Sequence, residues 1–233
     1  MVVRRKMTVK AENLKMSFGD QLIFENVSFE IPENSIVGIY GRSGIGKSTL
    51  AKILCGVYPP KAGRVYLGDK LLCAPDVPYD RKRGLQIQMV YQQPYSSLDY
   101  NQKLRSGFYE LIKYHKFAPN RRAADARIGE LMFEVGLDEG ILNHLPYQIS
   151  GGEAQRIAIA RCLLFEPKLL ILDEATSMLD VSTQANVIAL VRRVMEKTGG
   201  SVMLISHDAQ LVNCLCDQIY ILDKFHLTKE IGP

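Results

Sequence analysis

No stretch of this 233-residue sequence approaches the ~18 apolar residues needed to span a bilayer. The N-terminal MVVRRKMTVK leads into alternating, strand-like sequence rather than the apolar segment of a secretory signal. These absences argue against a membrane-spanning chain and predict a soluble, cytoplasmic one. Cysteine is sparse: Cys55, Cys73, Cys162, Cys214 and Cys216 are odd in number and show neither a disulfide framework nor zinc-site spacing, which points to a reducing compartment. Cys214-x-Cys216 has no second pair and reads as packing. Charge of one sign is also in short supply. The formal net charge is +4, and only Arg4-Arg5-Lys6 and Asp80-Arg81-Lys82-Arg83 concentrate basic residues, too little for the basic face of a nucleic-acid binder. Internal repeats and low-complexity segments are missing.

What is present is a hydrophobic content of 47%, enough for one large domain or one core carrying a smaller lobe. Thr8 to Phe18 and Leu22 to Ile31 read as strands with partial alternation, and the apolar run Ile36 to Tyr40 breaks into Gly41. From Lys47 to Gly56 the spacing of Leu50, Ile53 and Leu54 is helical, and Pro59-Pro60 prevents continuation. Gly63 to Leu67 and Ile87 to Tyr91 read as further strands. From about Ser96 the sequence turns charge-rich, with helical periodicity around Leu104 to Tyr114 and Arg122 to Val135. Short apolar runs then resume at Leu169 to Leu172, Val202 to Ile205 and Ile219 to Leu222, separated by helical segments. That order predicts buried parallel strands covered by helices, an α/β core at 1–95 and 160–233 with a helical lobe inserted at 96–159.

The sharpest local pattern is Gly41-Arg42-Ser43-Gly44-Ile45-Gly46-Lys47-Ser48, which fits G-x-x-x-x-G-K-[ST] between a strand and a helix. Its glycines let the backbone wrap an anion so that successive N–H groups and the helix N-terminus point at phosphates. Lys47 supplies a point charge for the β- and γ-phosphates, Ser48 a hydroxyl for Mg²⁺, and Thr49 sits toward the α-phosphate. A carboxylate for the metal comes from Leu169-Leu170-Ile171-Leu172-Asp173-Glu174, an acidic pair at the C-terminal end of a buried strand, where α/β proteins place ligands. Asp173 is the metal residue and Glu174 the group that polarises an attacking water.

Many NTPases share those two features, and Ile149-Ser150-Gly151-Gly152-Glu153 separates them. Taken alone, it suits a plain N-capped helix equally well. With Ala154-Gln155-Arg156 it resembles the signature of the ABC ATPases, and the other elements follow in that family's order. Phe18, which alone would read as a core aromatic, resembles the residue that stacks on adenine. Gln92 matches the glutamine that reaches Mg²⁺ and the water, Ser177-Met178-Leu179-Asp180 the loop that crosses a dimer interface, and His207 the histidine that contacts the γ-phosphate. Gln92-Gln93-Pro94-Tyr95-Ser96-Ser97-Leu98-Asp99 is similar to the Q-D-P-Y-x-S-L-N run of peptide, nickel and opine importer ATPases, with Gln93 and Asp99 departing from it. Glu153 departs too, standing where glutamine is commoner.

The resemblance implies a P-loop NTPase (RecA-like) core, an antiparallel β subdomain and the helical subdomain. It also implies ATP and Mg²⁺ as ligands. ATP held by Phe18 and residues 41–49 of one subunit would be covered by Ser150, Gly151, Gly152 and Asp180 of a second ATPase subunit, identical or not. Lys47, Gln92, Glu174 and His207 form the catalytic set; Ser48, Gln92 and Asp173 the metal set. The implied setting is the cytoplasmic face of a membrane, with separate permease subunits and an extracytoplasmic substrate-binding protein importing peptides, nickel or a metal-chelate or opine-like solute. Two other roles compete: a soluble ABC ATPase of translation or DNA repair, and a module that senses nucleotide without turnover. The single cassette with a short helical lobe weighs against the first, and the presence of both Glu174 and His207 against the second.

Overall fold

The computed structural model describes residues 7–175, 181–223 and 225–230. Internal contacts divide the chain into two units, one holding residues 1–89, 167–174 and 192–233, the other residues 90–166 and 175–191.

The first unit contains two sheets. In one, β1 (Met7–Phe18) pairs antiparallel with β2 (Gln21–Pro32) and with β4 (Ala62–Leu67), and β4 pairs antiparallel with β5 (Lys70–Cys73). One face is apolar: Val9, Ala11, Leu14, Phe24, Val27, Ile31 and Val65 are almost completely buried. Such one-sided burial is what an antiparallel sheet with a solvated outer face produces.

The other sheet runs in the order β10 (His226–Glu230), β9 (Gln218–Asp223), β3 (Ile36–Tyr40), β8 (Ser201–Ser206), β7 (Leu169–Asp173), β6 (Ile87–Val90). Strand β3 is parallel to both β8 and β9, and β7 is parallel to β8. Every residue of β7 and β8 is buried, as expected of parallel strands covered on both faces. Gly38 in β3 is a packing requirement. A Cβ there would meet Val212 Cγ1 at 2.5 Å and Cys216 Sγ at 2.9 Å, so helix α7 (Ala209–Leu215) and the residue after it close directly onto the strand. The parallel sheet is the core anticipated from the strand pattern, and the antiparallel sheet is the β subdomain that the resemblance implied.

The second unit is mainly helical: α3 (Leu104–His115), α4 (Arg121–Glu134) and α5 (Gly151–Leu163), with short 3₁₀ turns between them. Asn120 caps α4 by accepting from the Ala123 N–H at 3.0 Å. Phe108, Ile112, Ile128, Leu131, Met132 and Ile157 form its buried interior at helical spacing. The helical stretch expected at 96–159 lies inside this unit. Two further helices are α2 (Arg81–Gly84), in the first unit, and α6 (Val181–Thr198).

Candidate nucleotide site

Strand β3 ends at Tyr40, and helix α1 (Lys47–Leu54) begins after a six-residue loop. Gly41 passes so close to β9 that a Cβ would meet the Leu222 carbonyl oxygen at 2.6 Å. Gly46 takes the N-cap position of α1 at φ +112°, a left-handed conformation that side chains rarely adopt, and a Cβ there would meet Ile23 Cγ2 at 2.6 Å. No side chain caps this helix and its first turn holds no acidic residue. The leading N–H groups and the dipole therefore form a positive concavity that an anion complements.

Lys47 lies within that concavity at 4% exposure. Its Nζ donates to the carbonyls of Gly41 at 2.8 Å and Arg42 at 3.0 Å, and stands 3.6 Å from Glu174 Oε1. A buried cation is tolerated because it is paired and hydrogen-bonded on several sides.

Ser48 Oγ donates to Asp173 Oδ1 at 3.0 Å, so the two residues expected to hold a metal are already adjacent. Asp173 closes β7 at 7% exposure, and burial pushes its carboxyl above the ordinary range, opposed in part by the Ser48 hydrogen bond. A hydroxyl and a carboxylate are the hard oxygen donors Mg²⁺ takes, and this pair fits it.

Glu174 follows with φ +47°, uncommon for a residue with a side chain. Its N–H donates to the Ile205 carbonyl at 3.0 Å, which holds the turn against β8. The reversal brings Glu174 Oε1 to 3.3 Å from His207 Nδ1. The turn that carries His207 is itself held: the Asp208 N–H donates to Ser206 Oγ at 3.0 Å, and Asp208 Oδ1 caps α7 by accepting from Gln210 and Leu211. Ser206 and Asp208 thus clamp the turn on both sides, a role visible in Ser206-His207-Asp208 only once Asp208 is read as an N-cap.

Phe18 ends β1 with 44% exposure, and Tyr58 packs against it edge to face, ring centroids 5.2 Å apart at 77°. Tyr58 did not emerge from the sequence; its one signal is an aromatic between the glycine and prolines of Gly56-Val57-Tyr58-Pro59-Pro60.

The first unit thus brings together Phe18, residues 41–49, Asp173, Glu174 and His207, while Gln92 and Ser150 to Gly152 fall in the second. There Gln92 is exposed, and the Tyr95 hydroxyl donates to the Ile149 carbonyl at 2.9 Å, tying the Gln92 run to the segment before Ser150. Tyr95 is a second residue the sequence did not single out. Ser150 caps α5 and Gly151 is exposed with open space around it. Asp180, with Ser177 to Leu179, lies outside the described residues.

Known proteins resemble this chain in sequence and fold. The family model described as ABC transporter matches residues 24–177. The nickel import ATP-binding protein NikE of Shigella dysenteriae is 36% identical over 214 residues, 91% of this chain and 80% of its own length. The oligopeptide transport ATP-binding protein OppF of Streptococcus mutans is 34% identical over 230 residues, 95% of this chain and 74% of its own. Among solved structures, the ATP-binding cassette MJ0796, a dimer in a post-hydrolysis state bound to ADP and Pi, superposes with a TM-score of 0.80 at 27% identity, covering 95% of this chain and 97% of that one. The cbiO1 chain of Clostridium perfringens, part of the transporter complex cbiONQ, shares the fold with a TM-score of 0.81 at 24% identity, covering 96% and 88%. On the family match over most of its length, and on a phosphate loop whose Lys47 and Ser48 meet Glu174 and Asp173, the chain belongs to the ABC transporter family as one of its ATP-binding, ATP-hydrolysing members.

Proposed function

We propose that the chain is the energising subunit of a membrane importer, carrying nickel, peptides or a related metal chelate. The observation that carries this reading is similarity to NikE over 91% of this chain and to OppF over 95% of it, together with the Gln92-Gln93-Pro94-Tyr95-Ser96-Ser97-Leu98-Asp99 run. No helix among the described residues is long and apolar enough to cross a membrane. On this reading, which rests on the importer relatives, separate permease subunits supply the pathway and an extracytoplasmic binding protein serves them. The chain itself would sit peripherally at the cytoplasmic face.

Phosphoryl transfer to water depends on positioning and charge neutralisation more than on covalent chemistry. Phe18 offers its open ring face to the base, while residues 41–49 cradle the phosphates and Lys47 neutralises the terminal ones. Ser48 and Asp173 would hold Mg²⁺, which would screen phosphate charge, and Gln92 is the further metal residue that the family resemblance implies. Glu174 accepts a hydrogen bond from the attacking water and orients it, and His207 at 3.3 Å fixes that carboxylate and reaches for the γ-phosphate. Ser150, Gly151, Gly152 and Asp180 of a second ATPase subunit cover the nucleotide. Closing and reopening then move the helical lobe at 96–159, with Gln92 as its hinge to the permease.

Purification of the native complex tests the assignment. Polytopic membrane proteins should accompany the chain; recovery with ribosomes or DNA in their place would favour a soluble ABC ATPase.

A further inference from the structure

Ser150 is the residue whose hydroxyl the covering segment offers to a phosphate, and in this chain that hydroxyl is already engaged. Ser150 Oγ donates to Glu153 Oε2 at 2.7 Å, and the same carboxylate oxygen accepts the Ser150 N–H at 2.8 Å. The Glu153 N–H returns a bond to Ser150 Oγ at 3.3 Å, completing a reciprocal capping box at the start of α5. The bonds from Ser150, backbone first, hold the Glu153 carboxyl below its ordinary range.

A serine hydroxyl has one proton. While Glu153 accepts it, Ser150 presents only lone pairs outward, and these do not bind an anion. The carboxylate also places a negative charge beside the open ground around Gly151, where a phosphate of the facing subunit would arrive. A hydrogen bond to a charged acceptor is roughly twice as strong as one to a neutral acceptor, so this exchange costs more than it would with an amide at the same position.

We propose that Glu153 acts as a brake on ATP-driven closure: the Ser150 proton must leave an intramolecular carboxylate before it can serve the γ-phosphate of the facing subunit. Glu153 therefore raises the ATP concentration needed to close the site and shortens the life of the closed state. The inference rests on the shared-site reading above.

The test compares the ATP concentration for half-maximal hydrolysis in the assembled complex carrying the wild-type chain, Glu153→Gln, Ser150→Ala or both substitutions, with melting temperature measured alongside. Glutamine keeps an oxygen for the Ser150 N–H, so the cap persists. Glu153→Gln should lower the half-saturating concentration about fivefold. Ser150→Ala should raise it and remove the benefit of Glu153→Gln. An unchanged or higher half-saturating concentration in Glu153→Gln at an unchanged melting temperature overturns the proposal. If that variant melts lower, the lifetime of the ATP-closed complex in a Glu174→Gln background decides: a longer life supports the brake and an equal or shorter one refutes it. A silent Ser150→Ala would instead show that the shared-site reading is wrong.

Discussion

The carboxylate of Glu174 stands 3.3 Å from Nδ1 of His207, brought there by a left-handed turn at Glu174 whose N–H is bonded to Ile205 on the strand that leads to His207. On the proposed function the two side chains act as one unit. Each single change, Glu174→Gln or His207→Ala, should lower turnover by on the order of a hundredfold. Effects within such a unit are not additive. The double variant should therefore be no slower than the worse single one in steady-state phosphate release; a product of the two losses would show that they act separately.

Asp173 illustrates a conflict between stability and activity. Its carboxyl is raised because burial disfavours the charged form, so its contribution to folding is present below the unfolded-state value and lost as pH rises through the folded one. At neutral pH the ionised form is the costly one. Asp173→Asn keeps an acceptor for Ser48 and should raise the melting temperature of the nucleotide-free protein at neutral pH, a gain that fades as pH falls into the carboxylate range. The same variant should lose Mg²⁺-dependent turnover. Calorimetry at two pH values, paired with an ATPase assay, checks both halves.

At the base end, stacking on an aromatic ring contributes ~1–3 kcal/mol. Phe18→Ala should raise KM for ATP about tenfold with little change in kcat. Tyr58 holds the Phe18 ring edge-on, so Tyr58→Ala should raise KM by less, and Tyr58→Phe, which keeps the ring, should restore it.

Gly46 is constrained twice, by φ +112° and by Ile23 Cγ2 at 2.6 Å from a built Cβ. Gly46→Ala should destabilise the fold by about 1–3 kcal/mol, measured by denaturant unfolding, and should impair nucleotide binding as well.

Much of this molecule is legible in its sequence where short-range physics decides. The apolar runs at Ile36, Leu169 and Val202 became β3, β7 and β8, because strands buried on both faces need unbroken hydrophobicity. The phosphate loop was evident because glycine, lysine and serine are required at fixed spacing. Strand β10 was not evident: His226–Glu230 is largely exposed and acquires its form by pairing with β9, so no alternation marks it. Nor does the sequence give the left-handed turn at Glu174, which depends on a carbonyl of a distant strand, or the pairing of Phe18 with Tyr58 across two elements. The capping box of Ser150 and Glu153 lies within four residues, yet which partner takes the hydroxyl proton follows only from the side-chain geometry.

ATP hydrolysis at the loop of residues 41–48, with Glu174 orienting the water, is tested most directly by nucleotide binding measured together with single-turnover phosphate release for the wild-type chain, Lys47→Ala and Glu174→Gln. Glu174→Gln should bind ATP but release little phosphate, while Lys47→Ala should do neither. Undiminished phosphate release from Glu174→Gln, or undiminished ATP binding by Lys47→Ala, would contradict it.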